Sequence, residues 1–191
     1  MLARCSWCGS DPLYVDYHDT DWGVPEHDSR ALWEKLVLDG FQAGLSWITI
    51  LRKRPAFRQE FDGFDPVRVA LWDEDRIARA LTNPGIVRHR GKITSTVRSA
   101  RLFLDIEAEE GFAPWLWSFV GGAPIQNAWP DMASVPTATP ESMAMSKALK
   151  ARGFNYCGPV ITYAFMQATG MVNDHITPCH RHDAVRALSA G

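Results

Sequence analysis

The sequence lacks any apolar run near the roughly 20 residues that a membrane-spanning helix needs. Residues 1–10 also lack the pattern of a secretory signal peptide. We therefore expect a cytoplasmic protein with no membrane partner. There is no internal repeat, no low-complexity segment and no convincing strand-like run. Because apolar residues recur at helical spacing in many stretches, these absences favour an all-α class.

The sequence has few cysteines and a small net charge. The four cysteines stand at positions 5, 8, 157 and 179 of 191 residues, and the net charge is −2. In a reducing cytosol, such cysteines bind a metal more often than they form disulfides. The weak total charge argues against bulk nucleic-acid binding, although local basic clusters such as Arg52–Arg58 suit either a phosphate contact or a solvated helix face.

Apolar and aromatic residues are plentiful. They make up 46% of the chain and include 8 Trp and 9 Phe, which excludes a disordered protein. The length suits one domain, residues 1–191, arranged as two helical lobes. We expect a monomer, with residues 180–191 forming a flexible tail.

Residues 142–169 carry a helical pattern, a short glycine-bounded link and a second helical pattern. Gly153 follows the first pattern, and glycine ends helices easily because it tolerates positive φ. Gly158 and Pro159 open the second, where proline is pre-set for a first helical turn. The segment resembles the helix-hairpin-helix of DNA glycosylases, which implies that amides near Gly153 and Gly158 hold a DNA phosphate. Taken alone, it fits an ordinary αα-hairpin equally well.

Five stretches together are similar to 3-methyladenine DNA glycosylase I, a constitutive bacterial family of the helix-hairpin-helix glycosylase superfamily. They follow the family's order over residues 4 to 179: RCSWCGSDPLYVDYHDTDWGVP, DGFQAGLSWITILRKRPAFRQEFDGFDP, GIVRHRGKI, WSFVGG and SKALKARGFNYCGPVITYAFMQATGMVNDH. The resemblance implies an all-α glycosylase fold. It also implies a monofunctional base-excision repair enzyme that flips 3-methyladenine out of double-stranded DNA, hydrolyses the N-glycosidic bond and leaves an abasic site.

The resemblance further implies one structural zinc ion per chain, bound by Cys5, His18, His175 and Cys179. Two thiolates and two imidazoles form a closed tetrahedral ligand set of the structural kind. Such a site would join the N-terminal segment to the C-terminal one. Cys8 leaves an alternative open because Cys5-x-x-Cys8 is itself metal-like spacing, but the family position favours Cys5.

The base pocket that the resemblance implies is aromatic, with Tyr17 and Trp47 in direct contact with the base and Trp7, Tyr14 and Trp22 around them. Such a pocket suits a flat, electron-poor purine because of stacking and cation–π attraction. For each aromatic residue, an ordinary core position is the alternative interpretation.

Asp39 is where the chain departs from the family, which has a glutamate that reads the hydrogen-bonding edge of the adenine. We assign the catalytic role to Asp39. Because aspartate is shorter than glutamate, we expect either a longer or water-bridged contact with the adenine or a displaced pocket. Asn173 stands where many helix-hairpin-helix glycosylases have an essential aspartate. Asp174 beside it is expected to cap a helix or to support a zinc histidine rather than to act in catalysis.

Two other kinds of function compete with the enzyme. One is a zinc-stapled module that binds alkylated or distorted DNA without cutting it, and an assay for released 3-methyladenine separates the two. The other is a catalytic zinc hydrolase or deaminase. It is disfavoured because four protein ligands leave no position for water and because the H-x-E…P-C-x-x-C pattern is missing.

Overall fold

The computed structural model describes residues 2–188, which are mostly helical, as expected from the sequence. The α-helices are α1 (Pro12–Thr20), α2 (Ser29–Gln42), α3 (Trp47–Glu60), α4 (Pro66–Ala70), α5 (Glu74–Ala80), α6 (Arg90–Glu109), α7 (Phe112–Ser118), α8 (Pro140–Arg152), α9 (Pro159–Ala168) and α10 (His180–Leu188). Two short strands, β1 (Ile125–Gln126) and β2 (Val172–Asn173), pair in parallel. No helix in residues 2–188 has both the length and the apolar content that crossing a membrane requires.

Aspartate side chains set the start of helices α1 and α2. Asp11 accepts hydrogen bonds from the amides of Leu13 and Tyr14 at the start of α1. Asp28 accepts one from Ala31 at the start of α2. Aspartate suits this position because its carboxylate satisfies amides that have no partner inside the helix. These caps fix the register in which α1 and α2 present their side chains.

Helix α2 runs through the centre of the fold and packs against α3, α6 and α9. Leu32, Trp33 and Leu36 recur at helical spacing along it and are buried. This apolar face is the stripe that the sequence predicts. Its burial holds α2 rigidly, so polar residues elsewhere on the same helix have defined positions.

The C-terminal end of α2 is held by Lys92 of α6. The Lys92 ammonium donates hydrogen bonds to the carbonyl oxygens of Phe41 and Ala43, at 2.8 and 2.6 Å. The carbonyls that end a helix have no partner inside it and carry partial negative charge, which favours a cation there. Burial lowers the pKa of Lys92. The contact fixes the last turns of α2, where Asp39 lies.

Helices α8 and α9 form the hairpin predicted for residues 142–169. Gly153 ends α8 with a left-handed backbone, at a φ of 104°, and its amide lies 3.1 Å from the Leu149 carbonyl oxygen. The left-handed backbone is what favours glycine here, because a Cβ would lie 2.7 Å from the guanidinium of Arg98, the end of a flexible side chain that can move. Gly158 and Pro159 start α9 as the sequence indicates.

After α9 the chain returns to its N-terminal part. Gly170 has a φ of 70°, and a Cβ there would lie 2.4 Å from the backbone nitrogen of Pro25. Only glycine permits this close approach of two backbones. Farther along, the His180 amide donates to the Ala3 carbonyl at 3.0 Å. The N- and C-terminal segments therefore lie side by side.

Residues 180–188 are a helix, so the expectation of a tail is wrong for this part of the chain. In α10, His182 and Val185 are buried, and His182 Nε2 lies 2.9 Å from the Asn127 carbonyl oxygen. Burial of these two side chains on one helical face holds the segment against the loop after β1. Residues 189–191 of the expected tail lie outside the described part. The division into two lobes within one domain stays a prediction.

Candidate functional site

A cavity of about 150 Å³ opens between the N-terminal segment, α2, α3 and α9. An apolar cavity of about this volume is large enough to hold one benzene ring in another protein. The residues that line it come from distant parts of the sequence: Trp7, Tyr14, Tyr17, Trp22, Lys35, Asp39, Gln42, Trp47, Met132, Ala164, Gln167 and Ala168.

Helical spacing places the key side chains on facing walls. Tyr14 and Tyr17 are three residues apart on α1, and Lys35 and Asp39 are four apart on α2, so each pair shares one face of its helix. Trp47 is the first residue of α3. The structure therefore brings together every aromatic residue that the sequence analysis assigned to the base pocket, with Asp39 beside them.

The aromatic rings form a continuous wall. Trp7 packs edge-on against Tyr14 and Trp22, with ring centroids 4.9 and 5.1 Å apart. Tyr17 and Trp47 lie 5.4 Å apart, tilted by 45°. Tilted and edge-on arrangements are the favoured ones for such rings. Aromatic ring faces of this kind attract flat, electron-poor molecules and cations.

Three polar atoms of the wall are buried without a hydrogen-bond partner among residues 2–188. They are Trp7 Nε1, Trp47 Nε1 and Asp39 Oδ2. Most buried polar atoms in folded proteins are paired, and an unpaired one costs free energy. These two donors and one acceptor belong to residues that line one cavity.

The two charged residues of the cavity, Lys35 and Asp39, are paired with each other. The Lys35 ammonium donates a hydrogen bond to Asp39 Oδ1 and lies 3.8 Å from the centroid of the Trp47 ring. Burial raises the pKa of Asp39 and lowers the pKa of Lys35, while their mutual attraction opposes both changes. The cavity therefore contains one anion and one cation in contact.

Next to this cavity, Cys5, His18, His175 and Cys179 form a compact, buried cluster. Their ligand atoms all lie within 4.8 Å of one another. Cys179 Sγ is 3.5 Å from His18 Nε2 and 3.6 Å from His175 Nδ1. Bonds of about 2.0–2.3 Å to a tetrahedral zinc ion would place its ligand atoms about 3.3–3.8 Å apart. The four residues fit such an ion in chemistry, and the distances from Cys179 to the two histidines match its spacing.

Outer partners orient both imidazoles toward the centre of the cluster. His175 Nε2 donates to the Trp22 carbonyl oxygen at 3.0 Å, which leaves Nδ1 free to bind a metal. His18 Nδ1 donates to Asp19 at 2.7 Å, so Nε2 is the nitrogen with the lone pair, and it accepts a long hydrogen bond from the Cys5 amide at 3.4 Å. Hydrogen bonds from Arg4 lower the pKa of Asp19 to about 2, so this partner is ionised. Such outer hydrogen bonds are a regular feature of metal-binding histidines.

Cys5 and Cys179 supply the two sulfur atoms of the cluster. Cys5 hydrogen-bonds to Cys179, which raises the pKa of Cys5 and lowers the pKa of Cys179. A metal ion that replaced this proton would bind both as thiolates. Cys8 takes no part, because its thiol donates to the Cys5 carbonyl oxygen at 3.2 Å. The structure thus selects Cys5 over Cys8 as the candidate ligand.

Trp22 joins the cluster of Cys5, His18, His175 and Cys179 to the aromatic cavity. Its ring lies edge-on to His175 with centroids 4.6 Å apart and contacts Trp7 on the other side. The cluster also connects α1 to the segment before α10. Any ion bound there would therefore hold one wall of the cavity in place.

At the hairpin, Gly153 lies at the end of α8 and Gly158 at the start of α9, and neither glycine lines the aromatic cavity. Gly158 is in open space, since no described atom lies within 4 Å of the position of a Cβ. The first turn of α9 has no side-chain cap among residues 2–188. Free amides at the positive end of a helix attract anions.

Asp174 differs from the sequence-based expectation. Its carboxylate accepts four hydrogen bonds of 2.6–2.8 Å, from Asn127, Trp129, Tyr163 and Gln167. These contacts tie α9 to the loop after β1, so the expected roles as a helix cap or as a partner of a zinc histidine are wrong. Since a carboxylate has about four acceptor sites, all of those of Asp174 are in use.

The sequence analysis missed Lys35, Gln42 and Gln167 as cavity residues. Lys35 could have been found, since it precedes Asp39 by four residues on one helix and ion pairs at this spacing face each other. Gln167 carried no such signal, because nothing along the chain connects α9 to the N-terminal aromatic residues.

Comparison with known proteins gives consistent results. The family model described as methyladenine glycosylase matches residues 7–182. DNA-3-methyladenine glycosylase 1 of Escherichia coli is 49% identical over 179 residues, 93% of this chain and 96% of that protein. A crystal structure of 3-methyladenine DNA glycosylase I superposes with a TM-score of 0.93 at 52% identity, covering 94% of this chain and all of the other. A variant of 3-methyladenine DNA glycosylase I in complex with 3-methyladenine superposes with a TM-score of 0.91 at 37% identity, covering 94% and 97%.

Proposed function

Since the chain belongs to the methyladenine glycosylase family, we propose that it removes 3-methyladenine from alkylated DNA as a base-excision repair enzyme. The reaction hydrolyses the N-glycosidic bond and leaves an abasic site. The observation that carries the proposal is the aromatic cavity, whose lining residues include two buried indole N–H donors and one carboxylate oxygen that have no hydrogen-bond partner among residues 2–188. A flipped purine offers ring faces for the wall, and nitrogen acceptors and an exocyclic amine for these atoms.

The chemistry needs little proton transfer. In the nucleotide, methylation at N3 gives the adenine a positive charge, so the base leaves without prior protonation. The C1′–N9 bond breaks, its electron pair stays with the base, and water adds to C1′ with loss of a proton. The protein's task is to extract the base, to hold it and to admit water.

We assign base recognition to Asp39 and the aromatic wall. Asp39 Oδ2 accepts a hydrogen bond from the exocyclic amine of the adenine, and its negative charge attracts the positively charged base. Tyr17 and Trp47 contact the ring. Asp174 supplies no general base, since its oxygens are engaged. This agrees with a cationic leaving group that makes a strong base unnecessary.

We further propose that Cys5, His18, His175 and Cys179 bind one zinc ion. Zinc is favoured over other ions because thiolate and imidazole ligands in a tetrahedral arrangement suit it best. With four protein ligands the ion has a structural role and leaves no position for a reacting water. Its contribution is to clamp α1, which carries Tyr14 and Tyr17, to the C-terminal segment.

The duplex contact is assigned to amides around Gly153 and Gly158, which hold a phosphate at the start of α9. Double-stranded DNA is the proposed substrate. A protein that extracts a base from a duplex must hold the DNA backbone in position, and a phosphate contact at the hairpin does this. The monomeric state and the cytoplasmic location stay predictions.

Gly158→Val is expected to weaken binding to damaged and undamaged duplexes alike, by about tenfold, because phosphate contacts carry no base information. Gly158 has a φ of −63° and open space around it, so valine should fit the fold. Fluorescence anisotropy with labelled duplexes measures the effect, and Gly158→Ala should lose less. A loss confined to damaged DNA would assign this segment to the base pocket.

The decisive experiment incubates the protein with methylated duplex DNA and identifies the released bases by chromatography. We expect 3-methyladenine in the soluble fraction and abasic sites in the DNA. Tight binding to the methylated duplex without release of any base would instead show a non-catalytic binder.

A further inference from the structure

Lys35 occupies the position that a cationic base would take. Its ammonium lies 3.8 Å from the centroid of Trp47 and is hydrogen-bonded to Asp39. Trp47 provides the cation–π surface of the cavity and Asp39 provides the negative charge. An alkylated adenine would use the same ring face and the same carboxylate. The two cations therefore compete for one site.

We propose that Lys35 is a specificity-determining residue, a resident cation that the alkylated base must replace and that returns when the glycosidic bond is broken. This inference rests on the proposed function. Both occupants cannot stay, because two positive charges a few ångströms apart in a buried site repel each other strongly. Binding of the damaged base is thus an exchange of one cation for another.

A neighbouring cavity can accommodate the displaced Lys35 ammonium. A second cavity of about 340 Å³ adjoins the aromatic cavity, since Tyr17, Lys35 and Ala168 line both. Three carboxylates border this second cavity, those of Asp21, Glu26 and Glu34. Lysine has a flexible four-carbon stem, and the side chain keeps 16% of its surface exposed. A rotation of that stem carries the ammonium from Asp39 to another acidic environment.

Two of those carboxylates already have arginine partners, which bears on how firmly they would hold Lys35. Asp21 pairs with Arg54 at 2.8 Å, and Glu34 pairs with Arg58 at 2.7 Å. The second position is therefore shared with two other cations. Lys35 is held less firmly there than beside Asp39, so it returns once the base no longer competes for the carboxylate.

By this charge exchange, an undamaged base is expected to bind less well than an alkylated one. A neutral adenine that displaced Lys35 would leave the buried Asp39 carboxylate without a counter-charge, which is costly. A cationic base restores the balance. Burial raises the pKa of Asp39, which agrees with its need for a cationic partner.

The same exchange favours product release. When the C1′–N9 bond breaks, the electron pair stays on N9 and the base becomes neutral, while the positive charge passes to the sugar. Water then adds at C1′ and its proton goes to solvent. The neutral base no longer offsets Asp39, so the Lys35 ammonium returns to the carboxylate and displaces the base from Trp47.

The test measures binding of small molecules by quenching of tryptophan fluorescence. One probe is the 3,9-dimethyladeninium ion, in which a methyl group replaces the sugar, so that the charge is fixed and no glycosidic bond can break. The other is neutral 3-methyladenine in mildly alkaline buffer. Lys35→Met, which keeps the length of the side chain and removes its charge, is expected to bind both probes at least about tenfold more tightly than the wild type.

Lys35→Arg provides the second variant. The guanidinium keeps the charge, stacks on aromatic rings and forms two hydrogen bonds to a carboxylate, so it holds the site more firmly than lysine. We expect it to bind both probes about tenfold more weakly. Lys53→Met is the matched control, because Lys53 donates to the Pro84 carbonyl outside the cavity, and its affinity should equal that of the wild type.

The direction in which the probe affinity of the Lys35 variants changes tests the inference. A lysine that only stabilised the fold would, when replaced by methionine, leave the affinities unchanged or lower them, and arginine would substitute for it. Either result in a folded variant overturns the inference. The excision assay separates this from the proposed function, because a wild type that releases 3-methyladenine while Lys35→Met binds no more tightly refutes only the role of Lys35.

Discussion

Replacing Cys5 with alanine is expected to abolish zinc binding and to destabilise the whole protein. Cys5 contributes one of four ligand atoms that lie within 4.8 Å of one another. Structural zinc contributes about 10–16 kcal/mol to the folding of zinc-finger peptides, so losing one ligand should lower the free energy of unfolding by at least about 4 kcal/mol. Since each kcal/mol shifts Tm by about 2–4 °C in a chain of this size, we expect Tm to fall by about 8–16 °C.

Elemental analysis and thermal unfolding of protein purified without chelator measure the two effects. Cys8→Ala is the matched control, because Cys8 is equally buried but its thiol points to the Cys5 carbonyl. It should retain one zinc ion per chain. Equal zinc loss from both variants would mean that the cluster uses either thiol, and a wild type without zinc would refute the site altogether.

Asp39→Asn is expected to slow the release of 3-methyladenine at least about tenfold, a loss of about 1.4 kcal/mol of transition-state stabilisation. Asparagine keeps a carbonyl acceptor but removes the negative charge that attracts the cationic base. The position is buried and Asp39 Oδ2 has no other partner among residues 2–188. Single-turnover excision from methylated duplex measures the rate, and binding to undamaged duplex should change little.

Two further variants separate the causes of that loss. Asp39→Asn leaves the Lys35 ammonium without its carboxylate, so part of the effect could come from an uncompensated cation. The double variant Asp39→Asn with Lys35→Met removes both charges, and it should stay slow if the carboxylate itself attracts the base. Asp39→Glu restores the family residue and should be tolerated. Excision at the wild-type rate by Asp39→Asn would show that the carboxylate has no part in recognition.

The helices were the most predictable part of the fold. Asp28 caps α2, and Gly153 separates α8 from α9, because caps and terminators act within a few residues of the chain. Residues 180–188 were misjudged. The apolar signal in α10 is short, and its burial depends on contact with the loop after β1 rather than on its own sequence.

The sequence by itself determined the family, the helical class and the residue types of both sites. Motifs such as RCSWCGSDPLYVDYHDTDWGVP are contiguous, so they can be recognised without a fold. Only the tertiary structure decided that Lys35 lies over Trp47, since this depends on how α2 packs against the first turn of α3. It also decided the role of Asp174, whose partners Asn127 and Trp129 are 47 and 45 residues away. Contacts of this range arise from packing of the whole chain, and no local pattern contains them.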